Sequence, residues 1–211
     1  LSLIKPPDPY QCRICERPSL VMKAGPGCET CPAYQETHYF PRSMGPDAAD
    51  IVVIGDVAQE PPDRKIEREL ERGASAHEAF TDDGSIVLQR AIDDAINRFL
   101  GAKAGVSVKY IYAIRCAADN PNKAVMSSCQ GPMLSDLSRV NSERQRVGKT
   151  GKLVIIACGT MALRSLGVHV TSFEDAAGHV FDTTLGDVPV AIIPTLSLAA
   201  LAAASGKYSS V

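Results

Sequence analysis

Ile51-Val52-Val53-Ile54-Gly55 is a short, unbroken apolar run that ends in glycine, with Asp50 before it and Asp56 after it. A run of this length without polar alternation fits a strand buried on both faces, which belongs in a parallel sheet covered by helices on either side. The sequence on both sides of the run supports that frame. Ile86, Val87, Ala91, Ile92, Ile96 and Leu100 recur at helical spacing, so an amphipathic helix is predicted over 85–100. Residues 106–114 alternate as a second strand. A polar loop through Asn120-Pro121-Asn122 leads into a helical stretch expected to break near Gly131-Pro132 and to resume as far as about Arg146. Residues 153–157 form a third buried strand, 159–166 a short helix stopped by Gly167, 188–193 a fourth strand, and 197–204 an alanine-rich helix. Strands alternating with helices predict an α/β fold, a three-layer α/β/α sandwich around a four-stranded, mainly parallel sheet.

The domain plan follows from the remaining segments. Residues 1–24 carry three prolines before Cys12 and no period, and read as an N-terminal arm. Residues 25–211 form the domain, in which 60–79 read as a charged loop with a helical turn. In a parallel sheet, ligands bind beyond the carboxyl ends of the strands. The positions to interrogate are therefore 55–63, 112–116, 158–160 and 194–198. Gly148-Lys149-Thr150 is not a phosphate loop, because the glycine required five residues before Gly148 is Glu143. It reads as a solvated turn.

Composition narrows the function classes. Of 211 residues, 22 are basic and 24 acidic, giving a net charge of −2, so nucleic-acid affinity is not written into the global balance and would need a local basic face. The longest apolar stretch, 196–204, is far short of the roughly 18 residues of a membrane span, so no membrane partner is expected. Seven cysteines without a recognisable leader predict a reducing, cytoplasmic setting, where paired cysteines bind metal more often than they form disulfides. Cys12/Cys15 and Cys28/Cys31 are two Cys-x-x-Cys pairs, and Cys116 and Cys129 follow far downstream. Four thiolates suffice for a zinc ion or an iron–sulfur cube. The upstream quartet alone reads as a zinc ribbon. Cys158, in Val-Ile-Ile-Ala-Cys, reads as a small buried hydrophobe.

An ordered series of short motifs points to a different grouping. It runs Cys28-Glu-Thr-Cys31-Pro-Ala-Tyr, Ile51-Val-Val-Ile-Gly-Asp56, Tyr110-Ile-Tyr-Ala-Ile-Arg-Cys116, Cys129 three residues before Pro132, Cys158-Gly-Thr-Met-Ala-Leu-Arg-Ser-Leu-Gly167, and Ile193-Pro-Thr-Leu-Ser-Leu198. From about Gly27 to Tyr208 the chain resembles the iron–sulfur uracil-DNA glycosylases, the family-four and family-five branches of that superfamily. The resemblance implies a [4Fe–4S] cluster on Cys28, Cys31, Cys116 and Cys129, with zinc as the alternative, and leaves Cys12 and Cys15 as thiols on the arm. It also implies a DNA partner, a monomeric protein, and extrusion of a nucleotide from the stack before its glycosidic bond is cut.

Carried over position by position, the resemblance assigns Asp56 as the catalytic carboxylate and Phe80 as the aromatic that stacks on the base. Gly55, Gln59, Tyr112 and Ser197 would contact the base. Arg164 and Lys207, with the Arg144/Arg146/Lys149/Lys152 group, would touch phosphates, and Asp63, Asp82 and Asp83 are reserve acids. The departures fall where the chemistry should be. Gly-Glu-Ala-Pro-Gly is Gly55-Asp56-Val57-Ala58-Gln59, the base-reading Asn is Tyr112, and Pro-Thr-x-His-Pro is Pro194-Thr195-Leu196-Ser197-Leu198. Three readings remain open: a glycosylase for a non-standard or modified base, such as those of phage DNA; a catalytically inactive DNA-binding module of a replication or repair assembly; and a uracil glycosylase with a degenerate pocket.

Overall fold

The computed structural model of the chain describes residues 31, 33, 43–58, 83–101, 104–116 and 121–208, with the side chains at 83 and 205–208 left out. Cys12, Cys15, Cys28, Gln59, Asp63, Phe80 and Asp82, the arm over 1–24 and the loop over 60–79 all lie outside the described residues, as do the side chains of Asp83 and Lys207.

The elements run β1 (Ile51–Val57), α1 (Asp83–Phe99), β2 (Val108–Ile114), α2 (Lys123–Arg146), β3 (Leu153–Cys158), α3 (Thr160–Ser165), α4 (Phe173–Ala176), β4 (Phe181–Leu185), β5 (Val188–Thr195) and α5 (Leu198–Tyr208). The sheet has five strands in the order β2-β1-β3-β5-β4, not the four expected. β1, β2, β3 and β5 are parallel, and β4 is antiparallel to β5 at the edge. The additional strand is polar and largely exposed along Asp182-Thr183-Thr184, so it lacks the apolar run that marks the others. It joins β5 through the two-residue Gly186-Asp187 turn.

Alternation along β1 builds the layers. Val52 and Ile54 pack with Met133, Leu137 and Val140 of α2 and Leu163 of α3 on one face, while Val53 packs with Leu88 and Ile92 of α1 and Leu198 of α5 on the other. The architecture is therefore α/β with helices on both faces. α1 and α5 start in contact: a Cβ on Gly84 would lie 1.9 Å from the carbonyl oxygen of Leu198, so only glycine fits there.

α2 is continuous through Pro132, contrary to the expected break. Proline in a helix interior costs about 3 kcal/mol. The buried stripe Val125, Cys129, Pro132, Met133, Leu137, Val140 and Arg144 runs at helical spacing along the sheet, and at roughly 1.5–3 kcal/mol per large apolar side chain it outweighs that cost. Asn122 caps the start, accepting from the Ala124 and Val125 N–H groups. Lys149, read from sequence as part of a solvated turn, is a tie: its Nζ donates to Ala48 O at 2.9 Å and to Asp50 at 2.8 Å.

Candidate functional site

The strand order creates a switch point. From β1 the chain moves outward to β2, and from β3 it moves the opposite way to β5, so the connections diverge between the carboxyl ends of β1 and β3. Such a divergence opens the crevice in which doubly wound sheets bind ligands. Asp56, next to last in β1, lies at this point. It follows the alternation of Val52 and Ile54 toward α3. Its Oδ1 accepts the Ala162 N–H at 2.7 Å, and the Met161 N–H also donates to the carboxylate. α3 has no side-chain cap of its own, because Gly159 holds that position, so Asp56 caps it from the neighbouring strand. Gly159 is required in two ways: its φ is +89°, and a Cβ there would lie 2.0 Å from the Asp56 carboxylate.

Burial pushes the Asp56 carboxyl up to about 6, against the pull of the two backbone N–H groups. Among the described residues no lysine or arginine pairs with it. Cys158, at the end of β3, is fully buried as expected; desolvation, then the Asp56 charge, pushes its thiol well above the usual range. A carboxyl that titrates near neutrality can hold and release a proton at physiological pH.

Three of the four cysteines assigned to the metal cluster are buried in one apolar cluster near the carboxyl ends of β1 and β2. Cys31, Cys116 and Cys129 are 2–4% exposed and share one buried cluster with Ile114 and Val125, against which Val57 and Met161 pack. Val57 follows Asp56 in β1, and Met161 donates a backbone N–H to Asp56, so the cysteine cluster and the carboxylate are linked through these two residues. The Cys116 thiol donates to Cys129; that bond, outweighing desolvation and aided by the backbone and charge of Arg115, lowers the Cys129 thiol to about 6. Among the described residues no group of three His, Cys, Asp or Glu side chains stands close enough to hold an ion. The fourth assigned ligand, Cys28, lies outside them. Cys116 and Cys129 in contact, with Cys31 buried in the same apolar cluster, supply sulfur donors of the kind a metal group takes.

Among the described residues, the hydrogen bonds to the Asp56 carboxylate come from the α3 backbone and not from the other assigned side chains. Gly55 is inside the strand, paired with Tyr112 of β2, not in a turn after it. Tyr112 is buried with Val53, Ala58, Leu88, Cys158 and Leu198, on the sheet face opposite the one toward which Asp56 points. Ser197 lies beyond the carboxyl end of β5, where its Oγ accepts the Ala200 N–H and caps α5. Arg164 is exposed on α3. Arg144 is buried and tied to backbone carbonyls, so it does not face a phosphate. Two features escaped the sequence reading: the capping of α3 by Asp56 and the buried pair Arg115–Asp136. Arg115, directly before a cysteine at a strand end, was the available signal for the second. No helix among the described residues is long and apolar enough to cross a membrane. No family model matches the chain, and a search of curated proteins finds no match.

Proposed function

We propose that the chain is a DNA glycosylase that extrudes a non-standard or modified base and hydrolyses its N-glycosidic bond, leaving an abasic site. The observation that carries this reading is Asp56: a carboxylate at the β1/β3 switch point, without a cation partner among the described residues and pushed up to about 6 by burial. In the proposed step the ionised Asp56 accepts a proton from a water molecule whose oxygen attacks the anomeric carbon. The carbon–nitrogen bond breaks, and the base departs with the electron pair and takes a proton from solvent. Cys28, Cys31, Cys116 and Cys129 would hold the [4Fe–4S] cluster, which when bound staples the N-terminal segment to the loop after β2. The partner is DNA, and the substrate bases proposed are modified pyrimidines, including those of phage DNA.

A second reading has its own support. The Asp56 carboxylate already serves two α3 backbone N–H groups, and Tyr112 fills the apolar layer on the far face instead of facing Asp56. Both features suit an inactive glycosylase-fold module that only binds DNA. Oligonucleotides carrying a panel of uracil, hydroxymethylated and glucosylated pyrimidines, incubated with the protein and then treated with alkali, separate the two. Strand breaks at one or more bases support the glycosylase. Retained binding without a break at any base supports the inactive module.

A further inference from the structure

We propose that Arg115 is the positioning residue of the cysteine cluster, bracing the end of β2 against α2 and so fixing the separation of Cys116 and Cys129. The proposal rests on the reading of these cysteines as a metal site.

Cys116 and Cys129 come from different elements, the segment after β2 and the second turn of α2, yet their thiols are in hydrogen-bond contact. Something must hold the two elements in register. Arg115 is adjacent to Cys116, and its side chain is nine-tenths buried. Its Nη2 donates to the Pro132 carbonyl at 2.8 Å and pairs with the Asp136 carboxylate. Pro132 is three residues after Cys129, and Asp136 is one turn further along the same helix, so the guanidinium grips α2 immediately beyond the ligand it positions. Asp136 is held in turn by Arg139 at 3.2 Å. A single guanidinium nitrogen, Nη2, reaches both the carbonyl and the carboxylate; lysine keeps the charge, but its shorter side chain does not bring the ammonium to where Nη2 stands, so the grip is weakened.

The test compares wild type with Arg115→Met, Arg115→Lys and Asp136→Asn, all as isolated, with iron, zinc and sulfide counted first. Arg144→Met is the control for a purely structural loss, since Arg144 is an equally buried arginine at the other end of the sheet. If wild type carries iron, a chelator should strip the two Arg115 variants about tenfold faster or more, Asp136→Asn should fall between, and Arg144→Met should match wild type. If wild type carries zinc instead, the chelator comparison is run in the same way on zinc; if it carries neither metal, the metal reading of the cysteines fails, and the brace is tested by oxidation with diamide. Cys116 and Cys129 then give up two protons and two electrons to the reagent and form a disulfide, counted by peptide mass spectrometry, which should appear about tenfold more slowly in the Arg115 variants. Equal rates in wild type, Arg115→Lys and Asp136→Asn would overturn the proposal in either arm. So would an Arg144→Met variant that loses metal as fast as Arg115→Lys. Should Arg115→Met not fold, the other two variants decide.

Discussion

Asp50 and Asp56 stand at the two ends of β1, in opposite environments. Asp50, just before the strand, is surrounded by donors: Lys149 Nζ at 2.8 Å, the Ser107 N–H at 2.9 Å and the Ser107 hydroxyl at 2.8 Å. Desolvation raises its carboxyl, but the lysine and serine bonds outweigh it, and the group is held below its ordinary value. Asp47, nearby, is likewise lowered, chiefly by its bond from the buried Lys109. Asp56, among the described residues, is met by backbone N–H groups and no cation, and burial raises it instead. At the amino end of the sheet each acid is answered by a cation and the charges act as fasteners. At the carboxyl end an acid is left poised near neutrality, where a structural role alone would be better served by a cation partner or a neutral side chain. That asymmetry is the physical ground for placing chemistry at one end and stability at the other.

The contrast is open to measurement. The largest stability effect is expected at the amino end. Arg144 donates to Ala49 O and Asp50 O at 3.1 Å each and to Gly151 O and Lys152 O at 3.4 Å, tying α2 to the starts of β1 and β3. Arg144→Met should cost about 2–4 kcal/mol in urea unfolding, since the carbonyls left behind are partly out of water. A loss below about 0.5 kcal/mol would show that the fastener does little.

Asp56→Asn should act in the opposite sense. The folded carboxyl ionises at about 6 instead of 3.8, so its charge opposes folding above that window, and its favourable contribution, complete below 3.8, is lost as the pH rises through about 6. Asparagine keeps an oxygen for the Ala162 N–H without the charge. The variant should be about 1–2 kcal/mol more stable than wild type above neutral pH, with the gap closing below about pH 4. Asp50→Asn should show the reverse trend, losing stability above pH 4 because a lowered carboxyl stabilises the fold only while ionised. Unfolding curves at several pH values check both signs.

The smallest effect is expected at Ser197. Its hydroxyl caps α5, so Ser197→Ala should cost about 1 kcal/mol. Base release should otherwise persist, unless this side chain also touches the base as the sequence resemblance implies.

The fold was largely legible because β1, β3 and β5 carry apolar runs, β2 alternates and α1 is strongly periodic. β4 was hidden because an edge strand with polar residues lacks that signature, although Gly186-Asp187 before Val188 was a usable hairpin signal. The continuity of α2 was written in its buried stripe, which a reading focused on Pro132 undervalued. The site was less legible. Spacing alone left Cys28 and Cys31 free to join either quartet, and only the fold shows Cys31 buried with Cys116 and Cys129. Asp56 was chosen by resemblance; its raised titration depends on α3 and on strand order, which no local stretch of sequence encodes. The face that Tyr112 occupies was hidden for the same reason, since only the register opposite Gly55 reveals it.

The most direct test of the central claim is single-turnover base release from the modified-base panel, comparing wild type with Asp56→Asn at pH 5 to 8. The account predicts release by wild type that declines as the pH falls through about 6, and a loss of about 100-fold or more in Asp56→Asn with DNA binding intact. Equal release by the two proteins, or release by neither, would contradict it.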